Sequence, residues 1–269
     1  MTAEGNEQSV RRIVVVFGGG SSDTSVAGVL ASLASEGAAD IAAVFLEDQR
    51  LFRLAGLPFA TELCRITTTQ RPLTFGGLER QMQVQALRAE RAVQRIAEHA
   101  GSSWSFRTHR GRLGAALVET RDVDLLLLGT QRRSLAPSGE LRAMTRALRS
   151  DEVELLRPVA VLLDQASPGT RTLDAGMGLA EATGRGLIVF LSDEVAAARP
   201  DLARRLEAFG SKRWAIQRVS SRDRDRLFVG MRRAAPAVLI VSAGKAGFEE
   251  SSIDALQRQL SCPVVLVRD

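Results

Sequence analysis

A chain of 269 residues with 45% hydrophobic and 25% charged residues has the composition of a soluble globular protein with room for two ordinary domains. It carries +5, and of its 36 basic residues only Lys212 and Lys245 are lysines; the arginines are interleaved with glutamates along helical stretches, a solvated mixed surface that argues against nucleic acid. No apolar run approaches the roughly 18 residues of a membrane span, MTAEGNEQSVRR lacks the apolar core of a signal peptide, and the two cysteines, Cys64 and Cys262, have no CxxC spacing; a cytoplasmic protein without disulfide framework or zinc site is expected.

In chain order, the first apolar run predicts a strand over Ile13–Phe17, followed by Gly18, Gly19 and Gly20 and a helix over Asp23–Glu36. A strand over Ile41–Glu47 follows, then an apolar segment, LFRLAGLPFATELCRI (51–66), that breaks the rhythm. Leu78–Ala100 predicts a long helix in which Met82, Ala86, Ala89, Val93, Ile96 and Ala100 form one stripe for burial. Trp104–His109 is a strand, Gly111–Thr120 a helix, Val123–Gly129 a strand and Glu140–Leu156 a helix. Strands are then predicted over Val159–Leu163, Leu187–Leu191, Trp214–Val219, Val238–Ser242 and Val264–Val267, with helices over Thr170–Thr183, Glu194–Phe209, Arg222–Ala234 and Ser251–Leu260. Continuous apolar strands alternating with amphipathic helices predict parallel sheets covered on both faces.

The chain also repeats itself. Residues 14–48 and 159–193 align without a gap, 145 positions apart, each a strand, turn, helix and strand closing on VFL-x-D. Trp104 and Trp214 open corresponding third strands, and VDLLLLG matches PAVLIVS. The first half carries about 35 extra residues between its second and third strands. Nine strands are counted rather than ten, because 157–164 reads both as the close of one half and the opening of the next. The expected fold is α/β, two tandem open parallel-sheet domains, 1–157 with an insertion at about 49–78 and 158–269. No Gly/Ser/Pro linker separates them, so tight docking is expected.

The VFLED second strand, the D-LLLLGT fourth strand and the CPVVLVR terminus, in this order and twice over, resemble the universal stress protein family in tandem form. The resemblance implies a Rossmann-like five-stranded parallel sheet per domain and a regulatory, usually dimeric, stress-response protein. Some relatives bind ATP, with an Asp at the end of the first strand and a glycine loop, then Gly-Ser/Thr, after the fourth; such a loop lets backbone N–H groups approach phosphates. Against that pattern the first half has Gly19 where the Asp belongs; Gly129 and Thr130 keep the start of the loop, and Arg132 replaces its second glycine. The second half keeps Asp164, a Gly244–Gly247 pair displaced by two residues, and Ser251, with Glu249 and Glu250 at the phosphate end. Asp164 and Ser251 also read as helix caps.

These departures predict a non-catalytic regulatory or scaffolding protein without a cofactor, acting on a protein partner or a second copy of itself. Leu51, Phe52, Leu54, Leu57 and Phe59 are the candidate contact residues, and the closing strand, Pro263–Val267, is a second candidate surface as a terminal edge. One alternative is a switch sensing ATP or AMP through Asp164, Gly244, Gly247 and Ser251, or through Gly18–Gly20, with 51–66 as a lid. Another is an ATP-pyrophosphatase-like enzyme, because Gly18-Gly19-Gly20-Ser21-Ser22-Asp23 resembles that class's pyrophosphate loop. The basic run Arg107-Thr108-His109-Arg110 at a strand end is a candidate anion site.

Overall fold

The apolar runs become strands of one sheet. The computed structural model describes residues 11–18, 23–35, 37, 39–63, 68–111, 113, 123–129, 157–163, 170–208, 214–219, 224–243 and 262–268. The first half supplies β1 (Arg11–Gly18), β2 (Ala39–Asp48), β5 (Ser103–Gly111) and β6 (Leu125–Leu128), with a small hairpin of β3 (Thr61–Leu63) and β4 (Gln70–Pro72) in the insertion. The second supplies β7 (Val159–Leu163), β8 (Leu187–Ser192), β9 (Trp214–Val219), β10 (Val238–Ser242) and β11 (Val264–Val267). Their order is β5-β2-β1-β6-β11-β10-β7-β8-β9. All neighbours are parallel except β6 and β11, which run antiparallel with Leu128 opposite Val264 and Leu125 opposite Val267. β1, β6, β7, β10 and β11 are buried almost throughout, on both faces.

On one face lie α1 (Asp23–Ser35), α3 (Phe75–Ala100), α4 (Thr170–Thr183), and the pair α5 (Asp193–Ala198) and α6 (Asp201–Ala208). On the other lies α7 (Arg224–Ala234), whose Met231, Leu227 and Phe228 belong to the same apolar layer as Ala160, Phe190 and Leu239. A further helix, α2 (Gln49–Ala55), opens the insertion. The stripe of α3 is buried at Leu78, Met82, Ala86, Ala89, Val93 and Ala97; Ile96 and Ala100 sit at its margin, so the buried line is turned slightly from the one read in the sequence.

The strand registers correct the repeat by one residue. Ile13 pairs with Ile41 and Val159 with Leu187, 28 residues on in both halves. Ile41 faces Trp104 and Leu187 faces Trp214; Ile13 faces Leu125 and Val159 faces Val238. Ile13 therefore corresponds to Val159, an offset of 146, which also brings Leu33 and Ala34 onto Leu179 and Ala180, all buried on the same face. An offset of 145 matches Val14, on the same side of the sheet as α7, to Val159, on the side of α1 and α4. Because strand side chains alternate, a slip of one reverses every face.

Three other expectations change. Segment 157–163 is the opening strand of the second half only, since β7 pairs with β8 and β10. The closing strand β11 is no edge: it is held between β10 and β6, so it has no free side for a second copy. The helix expected over Glu194–Phe209 is split into α5 and α6. Pro200 forces the break by removing an N–H and driving Arg199 out of the helical region, to φ −132, ψ 69. Arg199 then pairs with Asp201 at 2.8 Å and donates to Thr170 Oγ1 at 3.1 Å. Cys262 is buried, and that burial pushes its thiol up to about 11; Cys64, with the expected helices over 140–156 and 251–260, lies outside the described residues.

Helix ends supply one stability test. α3 stops at Gly101 in the left-handed region, φ +63, where a side chain is penalised. α7 stops at Ala235 with φ +44, its N–H donating to the carbonyls of Met231 and Arg232 and its own carbonyl accepting from Arg157 Nε at 2.9 Å. Ala235→Gly is expected to stabilise the protein by about 0.5–1 kcal/mol, the strain of an L-residue exceeding the added chain entropy. Urea denaturation checks it; an unchanged or lowered midpoint would show that Ala235 carries no strain.

Candidate functional site

In an open α/β sheet ligands sit beyond the carboxyl ends of the strands, where strand order reverses. In the first half that point lies between β1 and β6. The structure brings Gly18, the last residue of β1, and Gly129, just after β6, to these adjacent ends; the Gly129 N–H donates to the Val16 carbonyl at 3.1 Å. Gly19, Gly20, Thr130 and Arg132 lie outside the described residues, as do Asp164, Gly244, Gly247 and Ser251 in the second half.

The carboxyl ends of β2 and β5 carry the best-defined polar cluster. Glu47, next to last in β2, is 6% exposed. Arg110, opposite it on β5, donates Nε–H to Glu47 Oε2 at 2.6 Å and Nη2–H to Glu79 Oε1 on α3 at 3.4 Å. Glu47 thereby raises the Arg110 guanidinium above its ordinary pKa, with burial pulling the other way. The flat face of Arg110 lies 4.0 Å from the centre of the Phe52 ring and 6.0 Å from that of Phe75, and the two rings are 5.3 Å apart. The basic run at 107–110 is thus no open anion site at Arg110, whose charge is taken by two carboxylates of the same chain.

This cluster explains how the insertion is held. Asp48 caps α2, accepting from Arg50 N–H at 2.8 Å. One turn on, Phe52 points inward onto Arg110. The hairpin, with Arg71 paired to Glu62, returns the chain to α3, and the Leu73 N–H donates to the Ala60 carbonyl at 2.9 Å. Thr74 then caps α3 by accepting from Gly77 N–H at 3.2 Å. The five apolar candidates part company: Phe52 is buried and Leu51 is partly buried against the core, so both face inward and anchor the insertion. Leu54, Leu57 and Phe59 face solvent, Phe59 at 77% exposure, and Leu63 and Phe75 join them.

Sequence reasoning missed Glu47 and Glu79 as partners of Arg110. The available signal was the buried position of a glutamate within VFLED, which needs a cation nearby. Among the described residues, no group of three His, Cys, Asp or Glu side chains is placed to hold a metal ion. No described helix is long and apolar enough to cross a membrane.

No family model matches the chain, and no curated protein sequence matches it. Solved structures do. A universal stress protein from Archaeoglobus fulgidus DSM 4304 is 12% identical, with 96% of this chain and 98% of that one covered at a TM-score of 0.50. A putative universal stress protein from Pseudomonas aeruginosa UCBPP-PA14 is 11% identical over 97% of this chain and 94% of that one, at 0.43. The cytoplasmic domain of a prokaryotic cation chloride cotransporter is 9% identical over 97% and 96%, at 0.40. With its mostly parallel sheet and flanking helices, the chain has the fold of the universal stress proteins.

Proposed function

We propose that the protein is a non-catalytic, stress-related regulatory or scaffolding module of the cytoplasm, built of two units (1–157 and 158–269) and acting through protein contacts. The observation that carries this reading is the apolar rim of Leu54, Leu57 and Phe59, displayed outward on an insertion whose inner side is locked by Phe52 and Arg110. Large apolar side chains exposed together are a common mark of an interaction surface. The crowding of Glu47, Arg110 and Phe52 over the ends of β2 and β5 supports a contact role over a ligand crevice there.

Native mass spectrometry tests both parts. The wild-type protein is expected to carry a protein partner or a second copy, and no nucleotide. The Leu57→Asp/Phe59→Asp variant is expected to lose that assembly with an unchanged unfolding midpoint. Retention of the assembly by the variant would overturn the rim as the contact. A bound ATP or AMP in the wild type would replace the reading with a nucleotide-sensing switch.

A further inference from the structure

We infer that the outward face of α3 docks an acidic amphipathic helix of another protein, an inference that deepens the protein-contact reading and rests on it. The buried residues of α3, from Leu78 to Ala97, define one side of the helix. At 100° per residue the opposite side carries Arg80, Val84, Leu87, Arg88, Arg91 and Arg95, all exposed. Val84 and Leu87, three residues apart, are 48% and 51% exposed and form a small apolar patch on an otherwise basic face.

The four arginines of this stripe are uncompensated. Arg80 Nε–H donates to the Gly76 carbonyl and Arg95 Nε–H to the Arg91 carbonyl, both within the helix. None of the four is in an ion pair among the described residues. Of the three glutamates of the helix, Glu79 and Glu98 are engaged with Arg110 and Gln94, and Glu90 is half-buried, off the stripe. At its far end, beside Arg95, the stripe borders a groove of about 780 Å³ between α1 and α3, walled by Ala27, Ala31, Ala92 and Ile96. Small side chains there allow close approach of a second helix.

Two apolar anchors three residues apart, with cations on both flanks, are what an amphipathic helix with acidic flanks would match. From Arg80 to Arg91 the stripe is about 16 Å long, three turns of such a partner. A second copy of this chain is a poor match, since the same arginines would face one another. An anionic membrane is a poor match too, since two aliphatic side chains are far less apolar surface than interfacial helices bury. Duplex DNA would satisfy the arginines through phosphate and leave Val84 and Leu87 without a counterpart.

The test is fluorescence anisotropy of the full chain with a labelled helical peptide of about 18 residues, leucines at three-and-four spacing and glutamates on the flanks. One control peptide replaces the glutamates by lysines; another scrambles the order. Binding is expected for the acidic amphipathic peptide only, weakening as salt rises. Arg88→Gln/Arg91→Gln and Val84→Gln/Leu87→Gln are each expected to weaken it roughly tenfold at unchanged helix content. No binding, equal binding of the scrambled peptide, or tighter binding to duplex DNA or to phosphatidylserine vesicles would overturn the inference. The Leu57→Asp/Phe59→Asp variant, expected to bind the peptide normally, separates failure of this stripe from failure of the rim.

Discussion

Gly176→Ala is expected to destabilise the protein by about 1–3 kcal/mol, although alanine is the better helix former by about 1 kcal/mol. Gly176 faces the sheet from the middle of α4. A Cβ there would sit 2.2 Å from Val161 Cγ2 and 3.6 Å from Leu187 Cδ1. Val161 is fully buried on β7, a strand paired on both sides, so neither it nor the backbone beneath has room to retreat. The corresponding residue of α1 is Leu30, itself fully buried. Urea denaturation of Gly176→Ala, Val161→Ala and the double variant gives the decisive cycle. Val161→Ala removes the obstructing methyl, so the double variant is expected to lose less stability than the two singles together. A neutral Gly176→Ala would show that α4 lifts freely and that close packing on β7 is not required.

Arg110→Ala is expected to cost about 1.5–3 kcal/mol, nearer the lower figure because the Arg110 side chain is 40% exposed. The loss comes from Glu47, left as a nearly buried carboxylate without its charged donor, and from Phe52, left without the guanidinium stacked on it. Arg110→Lys is expected to fall between wild type and alanine, since it keeps the charge and gives up the flat fork. Replacing both partners, as Arg110→Met/Glu47→Leu, is expected to recover much of the loss, because neither charge is then left buried alone. Limited trypsin digestion supplies the structural readout: loosening Phe52 should open Arg50 and Arg53 to cleavage in Arg110→Ala before the rest of the chain is cut. Equal cleavage rates in wild type and variant would mean that Arg110 does not hold the insertion.

Legibility in the sequence followed burial. β7, β10 and β11 begin and end where their apolar patterns place them, because each is a short buried run; β9 and α4 also keep their predicted bounds, β9 although none of its residues is buried. The hairpin of β3 and β4 escaped notice since TEL and QRP are largely exposed and have no alternation to detect. The antiparallel seam escaped for a different reason. LLLL and VVLV are apolar on both faces, and such strands say that they are covered without saying which neighbour lies beside them. In the site, Glu47 and Arg110 are 63 residues apart. Nothing in the sequence joins the two until the pairing of β2 with β5 sets them together. The inward turn of Phe52 and outward turn of Phe59 depend on where Asp48 starts α2, a local cap whose consequence for facing is invisible in a run of leucines and phenylalanines.

The seam between β6 and β11 also bears on how the protein is made. β6 ends at Leu128 and its partner begins at Val264, so 136 residues must leave the ribosome between one side of the seam and the other. At about 5–20 residues per second that is roughly 7–27 s. Throughout that interval the first half holds out Leu125–Leu128, four consecutive leucines destined for the core, with the backbone groups of one side unpaired. Such an edge is a template for pairing with a neighbouring nascent chain. Translation speed and chaperone access therefore bear on the yield of this protein, quite apart from its final stability.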